Sequence, residues 1–403
     1  MKQEPKLRIA YLSGSVDAVA VHRAWTSGRP LGYFGASAIT DFFHLCADWG
    51  AEGYVITTLD GEYRSQKMGD FVIENRPLPS GTKGAFYHIV NAIWLLRMIP
   101  SIVRFRPNIF VITAGRNYWF LLTILPWIGI KIIPSCPCTF WPKFAPVRKS
   151  WRILLRLNAI FLSHFVVGVI TMSEDIARQV RSLLGGKKVP MAVFLPVYSP
   201  GQFESFTPVA FSTRPFRVFF AGRIETTKGI YDLVTIADRL NRQKPQAFHF
   251  DICGGGSELQ ALQRKILKLG LQEVITCHGY CERSQLSQVL QGSHVVIVPT
   301  TTQFEEGFNM VCAESILAGR PVVTSAVCPA LEYIKDAAIE VPPDDVMAYC
   351  RALLDLSNDR DLYERKLTAC KPLQAQFYDI HNGWGAKLRE IAAPHLPVQI
   401  SQR

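Results

Sequence analysis

The chain alternates short apolar runs with longer segments whose apolar residues recur at helical spacing, and this alternation constrains the fold more than any other feature. It is typical of βαβ units, in which helices join parallel strands. Two such series occur, separated by residues 196–215, which are rich in Pro, Ser and Gly. The pattern predicts an α/β protein with two doubly wound Rossmann-like domains, covering 1–200 and 201–376. The predicted strands are 7–13, 54–58, 109–113, 131–135, 166–171 and 192–195, then 216–221, 249–253, 274–278, 294–298, 321–324 and 339–341.

Segments with helical periodicity fill the intervals between these strands. Ligands of doubly wound sheets bind beyond the carboxyl ends of the strands, so the cleft between the two domains is the expected site. The predicted helices are 36–49, 85–105, 119–128, 148–162 and 174–184, then 229–242, 258–269, 284–291, 309–318, 344–356, 359–370 and 378–391.

The excess of positive over negative charge lies entirely in the first half of the chain. Residues 1–205 contain 23 Lys and Arg against 12 Asp and Glu, whereas residues 206–403 contain 21 of each. Residues 75–173 contain 12 Lys and Arg and no acid, and aromatic and basic residues interleave at 85–106 and 141–156. This composition favours docking on an anionic membrane surface, although a buried helix with solvated arginines has the same composition. No nucleic-acid motif accompanies the charge, so we expect no nucleic-acid partner.

The strongest motif is 305–314, which follows the strand predicted at 294–298 and its loop. Gly307 gives a turn that delivers backbone N–H groups at a helix N-terminus, a geometry that binds phosphate. Glu306 and Glu314 lie eight residues apart, on the order of 12 Å along a helix. Two carboxylates at that distance fit hydroxyl groups on both sides of a diphosphate. Ordinary helix-start charges are the alternative.

A second motif, 219–229, ends the first strand of the second series. Gly222 permits close approach of the backbone. Arg223 offers a bidentate contact to phosphate and Lys228 offers a mobile point charge. Both motifs follow strand ends of one domain, so we expect them to converge.

Together these residues resemble the retaining GT-B glycosyltransferases of family 4. The resemblance covers about 160 residues, from 216 to 377. It rests on the Gly-Arg…Lys-Gly segment at 222–229, the glycines of 251–256, His-Gly-Tyr at 278–280, the two glutamates, and Leu-Ala-Gly-Arg-Pro-Val-Val at 317–323.

The resemblance implies roles by position. Arg223 and Lys228 would neutralise the donor diphosphate, Glu306 would hold sugar hydroxyls, and Glu314 would bind the ribose. It also implies that residues 377–403 contain a last helix that packs back on the first domain. The remaining donor contacts implied are Gly222, Gly254, Gly279, Tyr280, Gly307, Phe308, Asn309 and Met310, with Gly35 in the first domain. The donor would be a UDP- or GDP-linked sugar, and no metal or other cofactor is expected.

The first half departs from the family pattern at two places. Residues 135–140 carry no His in a loop where many relatives have one facing the sugar, so Thr139 or a backbone group would take that role. Residues 196–199 replace the usual Asn-Gly-Val-Asp. Arg116 is a candidate acceptor contact, with a surface role as the alternative. The pairs Cys136/Cys138 and Cys277/Cys281 lack a second ligand pair at zinc-site spacing, so no metal site is expected there.

The expected function is retaining transfer of a hexose-type sugar from a nucleotide diphosphate sugar. The expected acceptor is a lipid-linked glycan of cell-surface polysaccharide biosynthesis. The polar start of the chain indicates no export signal, so we expect a cytoplasmic enzyme, peripheral on the inner face of the membrane. Because 75–173 holds no carboxylate, front-face displacement is favoured. The alternatives are a catalytically degenerate GT-B module that binds a partner or membrane, and another sugar-nucleotide enzyme of this fold.

Overall fold

Two parallel sheets, each covered by helices on both faces, organise the protein in the computed structural model, which describes residues 6–29, 38–147 and 149–396. The first sheet has eight strands in the order β3-β4-β2-β1-β5-β6-β7-β8, and all pairs but β3–β4 are parallel. The predicted α/β class is confirmed. The strands are β1 Arg8–Leu12, β2 Glu52–Thr57, β3 Arg64–Met68, β4 Phe71–Asn75, β5 Ile109–Ile112, β6 Lys131–Cys136, β7 Val169–Thr171 and β8 Met191–Val193.

The hairpin β3–β4 was not predicted. Its edge strand β3 is polar and exposed along most of its length, so it carries no apolar alternation. Gly69, at φ +61°, forms the tight connection to β4. The sequence interpretation therefore recognised the buried strands and missed the exposed edge strand together with its partner.

Helices α1, α2 and the C-terminal α16 (Trp384–Ala392) cover one face of the first sheet, and α3 to α7 cover the other. Helix α1 was also not predicted. The predicted helix 85–105 divides into α3 and α4, because Pro100 has no N–H for the helical ladder. The helices are α1 Ala18–Ser27, α2 Ala38–Asp48, α3 Gly84–Leu96, α4 Ile99–Phe105, α5 Ile124–Trp127, α6 Lys149–His164 and α7 Glu174–Leu184, with a 3₁₀ helix at Arg116–Leu122.

The second sheet has six parallel strands in the order β11-β10-β9-β12-β13-β14. Helices α8 and α13 pack on one face, and α11, α12, α14 and α15 pack on the other. The strands are β9 Phe216–Ala221, β10 Phe248–Cys253, β11 Ile275–Gly279, β12 Val295–Val298, β13 Val322–Ser325 and β14 Ala338–Val341. The helices are α8 Ile230–Gln243, α9 Leu259–Lys268, α10 Arg283–Gln291, α11 Met310–Leu317, α12 Leu331–Ile334, α13 Val346–Asn358, α14 Arg360–Leu373 and α15 Ala375–Tyr378.

Each sheet reverses its strand order once, and this reversal positions the site. In the second sheet β9 pairs with both β10 and β12, so the loops after β9 and β12 leave the sheet side by side. In the first sheet the corresponding reversal lies between β1 and β5, and Arg116 follows β5. Crevices at such reversals bind ligands in open α/β sheets.

The chain crosses between the domains twice, and the two crossings lie side by side. The first follows β8, and the second follows α15 and leads to α16, Trp384–Ala392. Leu195 N–H donates to the Asn382 carbonyl (2.8 Å), and Tyr198 N–H donates to the Phe377 carbonyl (2.9 Å). Helix α16 then packs on α2, β7 and β8, and the Trp384 indole N–H donates to Ser135 Oγ (2.9 Å).

Candidate active site

The loop between β12 and α11 holds Glu306 in a buried polar cluster. Its Oε2 accepts from Lys228 Nζ at 2.6 Å, from Asn309 Nδ2 at 3.2 Å and from Thr300 Oγ1 at 3.3 Å. Only 8% of the Glu306 side chain is exposed, and burying a carboxylate is costly unless it is paired in this way. Three donors on one oxygen fix the carboxylate at the carboxyl end of β12.

Arg223 and Lys228, predicted to converge on the loop after β12, both lie against the ring of Phe304. Lys228 Nζ is 3.9 Å from the ring centroid, and the Arg223 guanidinium carbon is 5.7 Å from it. Arg223 is mostly exposed and pairs with Glu225 at 2.8 Å. Two cations therefore stand at one aromatic ring beside Glu306, and sequence reasoning did not single out Phe304.

Helix α11 starts at Met310, one residue later than the helix 309–318 that the sequence predicted. Asn309 precedes it with φ +76°, and Phe308 is buried. The helical rise therefore applies only from Met310 to Glu314, so the estimate of about 12 Å assumed a longer helix than the structure contains. The backbone of 308–310 does stand at the N-terminus of α11, as predicted.

Glu314 lies within α11 and contacts the interdomain connection. The Tyr198 hydroxyl lies 3.4 Å from Glu314 Oε1 and 3.5 Å from the Met310 carbonyl. Burial raises the pKa of the Glu314 carboxyl to about 7, and the hydrogen bond from Tyr198 opposes that shift. Glu314 therefore gains or loses its charge near neutral pH. Tyr198 belongs to 196–199, the segment that departs from the family pattern.

Glycines bring backbone segments into contact at the carboxyl ends of β9 and β10. A Cβ on Gly254 would lie 1.8 Å from the Gly222 carbonyl oxygen, so no other residue fits there without moving the backbone. Gly254 N–H donates to the Gly279 carbonyl at 2.7 Å. Next to Gly279, Tyr280 is 80% exposed, at a position that the resemblance implies as a donor contact.

The first domain reaches this site through the loop after β6. A Cβ on Gly307 would lie 1.8 Å from the Pro137 carbonyl oxygen, so the two domains are in direct contact at the 306–308 turn. Arg116, considered as an acceptor contact, bridges the domains: its guanidinium pairs with Glu305 at 2.5 Å and donates to the carbonyls of Cys138 and Thr139.

A cavity of about 220 Å³ lies between the domains beside Glu306. Thr139 Oγ1 is buried there and has no hydrogen-bond partner among the described residues. Asp175 also lines the cavity, with its Oδ2 3.1 Å from Lys143 Nζ and its Oδ1 2.5 Å from Arg178. The side chains that line the cavity are those of Thr139, Trp141, Lys143, Asp175, Arg178, Gln179, Ser182, Phe304, Glu306, Val327 and Pro329.

The first domain contributes to this cavity an acid that the argument from residues 75–173 did not include. The acid-free stretch ends at residue 173, and Asp175 lies just beyond it, so the first domain does present a carboxylate to this cavity. Nothing in the sequence indicated that α7 turns this residue toward Glu306.

The remaining predicted positions give no further site. Gly35 lies outside the described residues. Across the described ranges no group of three or more His, Cys, Asp and Glu could hold a metal ion. All ten cysteines are free thiols, and burial raises the pKa of Cys136 to about 12 and that of Cys277 to about 11, so both remain protonated at neutral pH.

Comparison with known proteins assigns the second half. Residues 202–368 match the family model of glycosyl transferases group 1. Over 177 residues the chain is 30% identical to a D-inositol 3-phosphate glycosyltransferase of Paenarthrobacter aurescens, covering 42% of each protein. Over 166 residues it is 27% identical to the GtfA subunit of a UDP-N-acetylglucosamine–peptide N-acetylglucosaminyltransferase of Streptococcus gordonii, covering 41% of this chain and 30% of that protein. The chain thus matches less than half the length of these relatives.

Solved structures match nearly the whole chain. Anabaena HepE in complex with UDP and glucose has a TM-score of 0.67 at 13% identity, covering 97% of this chain and 100% of that one. Sucrose-phosphate synthase of Thermosynechococcus elongatus has a TM-score of 0.68 at 17% identity, covering 97% and 98%. At such identities the likeness concerns the fold. Residues 202–368 are therefore similar to the glycosyl transferases group 1 model, and the chain as a whole has the two-domain GT-B fold.

Proposed function

We propose that the protein transfers a hexose-type sugar, with retention of anomeric configuration, from a UDP- or GDP-linked donor to a lipid-linked glycan acceptor. The reaction would take place at the cytoplasmic face of a membrane, in the assembly of a surface polysaccharide, and would need no metal. The match to the group 1 model supports the use of a nucleotide sugar, because one of the similar proteins carries a name that includes UDP-N-acetylglucosamine. The sugar, the acceptor and the stereochemistry are parts of the proposal.

The cluster of Arg223, Lys228 and Glu306 at the N-terminus of α11 carries the proposal. When the bond between sugar C1 and the phosphate oxygen breaks, negative charge develops on the departing diphosphate. Two fixed cations and the backbone N–H groups of a helix N-terminus stabilise such charge without reorganising. Glu306, held by three donors, would accept hydrogen bonds from sugar hydroxyls.

The environment of Asp175 supports front-face displacement. A double displacement needs a carboxylate free to attack C1, but Lys143 and Arg178 each bind one oxygen of Asp175. In a front-face reaction the acceptor oxygen bonds to C1 on the side that the diphosphate leaves. The acceptor proton then passes to the departing phosphate oxygen, so no protein base is required.

The cavity beside Glu306 supports an acceptor with several hydroxyl groups. It combines the Trp141 ring, the Thr139 hydroxyl and charged groups from the first domain with Glu306 from the second. An aromatic surface with a few polar side chains is the usual lining of a small-molecule site. The acceptor sugar would lie here, next to the donor sugar.

The test is turnover of a panel of UDP- and GDP-hexoses, with NMR of the product to read its anomeric configuration. We expect hydrolysis or transfer with at least one donor and a product of unchanged configuration. Glu306→Gln should abolish turnover of the donor. Glu340 is an exposed glutamate on the edge strand β14 of the same sheet, and Glu340→Gln should leave turnover unchanged. Nucleotide binding without turnover would instead indicate a degenerate module, and an inverted product would refute retention.

A further inference from the structure

The helical layer on the outer face of the first sheet exposes an unusual number of large apolar side chains. In α3, Phe86, Ile89, Ile93 and Leu96 are exposed and spaced as one stripe along the helix, and Tyr87 is exposed beside Phe86. The same helix buries Leu95, and α4 continues the contact with the core. The stripe is therefore the outer face of a helix already anchored to the sheet.

Helix α6 repeats this arrangement. Ile153, Leu157 and Ile160 form an exposed stripe at spacings of four and three residues, and Ile153 is 62% exposed. Both α3 and α6 contact the 3₁₀ helix at 116–122 that lies between them. The two stripes thus belong to one continuous layer.

The short helix α5 follows that 3₁₀ helix and adds an aromatic anchor. Trp127 leaves 80% of its side chain exposed, and Ile124 and Ile128 beside it are also exposed. Tryptophan concentrates at the interface between a bilayer and water, because its ring is apolar and its N–H is polar. We name the exposed stripes of α3 and α6, together with the exposed residues of α5, the α3–α6 face.

The charge around this face has one sign. Lys83, Arg97, Arg152 and Arg156 are exposed on α3 and α6 or at their ends. None of them forms an ion pair with an acid of the described chain. Basic residues bordering an apolar helical face match a surface of anionic lipids, whereas they repel another copy of the same face.

The α3–α6 face adjoins the candidate active site. Lys143 lines the cavity beside Glu306, and its neighbour Phe144 is exposed in the loop that leads to α6. The head of a lipid whose tails remain in a bilayer under this face would therefore lie near the loop that carries Lys143.

We infer that the α3–α6 face inserts into the headgroup region of an anionic bilayer, with α3 and α6 lying along the membrane plane. Segment 84–105 has the length and a mean hydropathy of 1.4 suited to crossing a membrane, and 22% of its most apolar window is buried. Its attachment to the sheet through Leu95, Met98 and Ile102 places it along the surface instead. The inference does not depend on the proposed activity, because membrane binding needs no substrate.

The experiment is co-sedimentation of the purified full chain with vesicles of phosphatidylcholine, with and without 30% phosphatidylglycerol. We expect binding to the anionic vesicles that weakens as salt is raised, because screening shortens the range of the attraction. Ile153→Glu and Trp127→Glu should each lower the partition coefficient by about tenfold or more, since each places a charge where an apolar group is buried. Arg152→Gln should lower it about fivefold.

Matched variants lie in the second domain. Leu267→Glu replaces an apolar residue that is 64% exposed on α9, and Lys268→Gln removes a neighbouring cation. Both should leave vesicle binding unchanged. Trp127→Phe should remove quenching of tryptophan fluorescence by brominated lipid.

Three results would overturn the inference: no binding to anionic vesicles, equal binding to neutral vesicles, or equal losses in the matched variants. A dimer in solution that Ile153→Glu dissociates, with no vesicle binding, would assign the face to self-association instead. Loss of vesicle binding with donor hydrolysis intact would separate this inference from the proposed activity.

Discussion

The Lys228–Glu306 ion pair should stabilise the second domain through a strong mutual coupling. The two side chains are 13% and 8% exposed, and their charged atoms are 2.6 Å apart. Removing one partner of a buried pair leaves the other charge uncompensated in a low-dielectric site, which costs about 3–5 kcal/mol. Removing both charges avoids that penalty, so Lys228→Gln and Glu306→Gln together should cost little more than either alone.

The chain contains a matched control for burial. Lys6 and Asp70 are also 2.6 Å apart, but their side chains are 42% and 62% exposed. Exposed pairs contribute about 0–1 kcal/mol, so the variants Lys6→Gln and Asp70→Asn should be almost additive. The comparison keeps the distance constant and changes the solvent exposure.

Scanning calorimetry measures the effect as a shift in melting temperature. For a unit of about 150–250 residues, 1 kcal/mol corresponds to about 2–4 °C, so a loss of about 3 kcal/mol lowers the transition of the second domain by about 6–12 °C. Losses that simply add in the double variant, or a coupling for the exposed pair as large as that for the buried pair, would refute the reasoning.

Three further variants test other contacts. The Cβ of Gly307→Ala would lie 1.8 Å from the Pro137 carbonyl oxygen, so this variant should separate the 306–308 turn from the first domain and slow donor turnover on the order of 100-fold. The control is Gly292→Ala, whose Cβ would meet nothing closer than 3.7 Å and which should leave turnover unchanged. The affinity for the nucleotide, measured by calorimetry, should increase as the pH rises through about 7, because the Glu314 carboxyl then ionises and can accept hydrogen bonds from the ribose hydroxyls. In Glu314→Gln the affinity should no longer depend on pH in this range. The pKa of Glu314 is higher in the folded protein than its ordinary value of 4.5, so the folded protein holds this proton to higher pH than the unfolded chain does. The free energy of unfolding should therefore fall as the pH rises from 4.5 to about 7. In urea titrations at several pH values, Glu314→Gln should lose that dependence. Arg320→Lys should lower the free energy of unfolding by about 3 kcal/mol, measured by urea titration. The fully buried Arg320 guanidinium donates to four backbone carbonyls, and a lysine ammonium cannot reproduce that planar set of donors.

The elements that the sequence predicted well are those with strong local signals. Helix α7 runs from Glu174 to Leu184 as predicted, because the Ser173 side chain accepts from Ile176 N–H at one end and Gly185 ends the helix in the left-handed conformation. The buried parallel strands were found because both faces of such a strand are apolar. These signals lie within a few residues of the element that they define.

The contacts that the sequence could not reveal join distant parts of the chain. Arg116 and Glu305 are 189 residues apart, and their pairing depends on how the two domains face each other. Asp175 reaches the cavity for the same reason. Local sequence patterns identified Glu306 and Lys228. The contacts that the first domain makes at the site, through Arg116 and Asp175, could be recognised only from the folded structure.

The paired interdomain crossings have a mechanical consequence. Because Leu195 is tied to Asn382 and Tyr198 to Phe377, the two connections act as a double-stranded hinge with one preferred axis. We therefore expect the cleft to open mainly by rotation about that axis, with less twisting or sliding of one domain over the other. A chain cut at residue 200 would lose this hinge and would also leave the α16 side of the first domain's core uncovered.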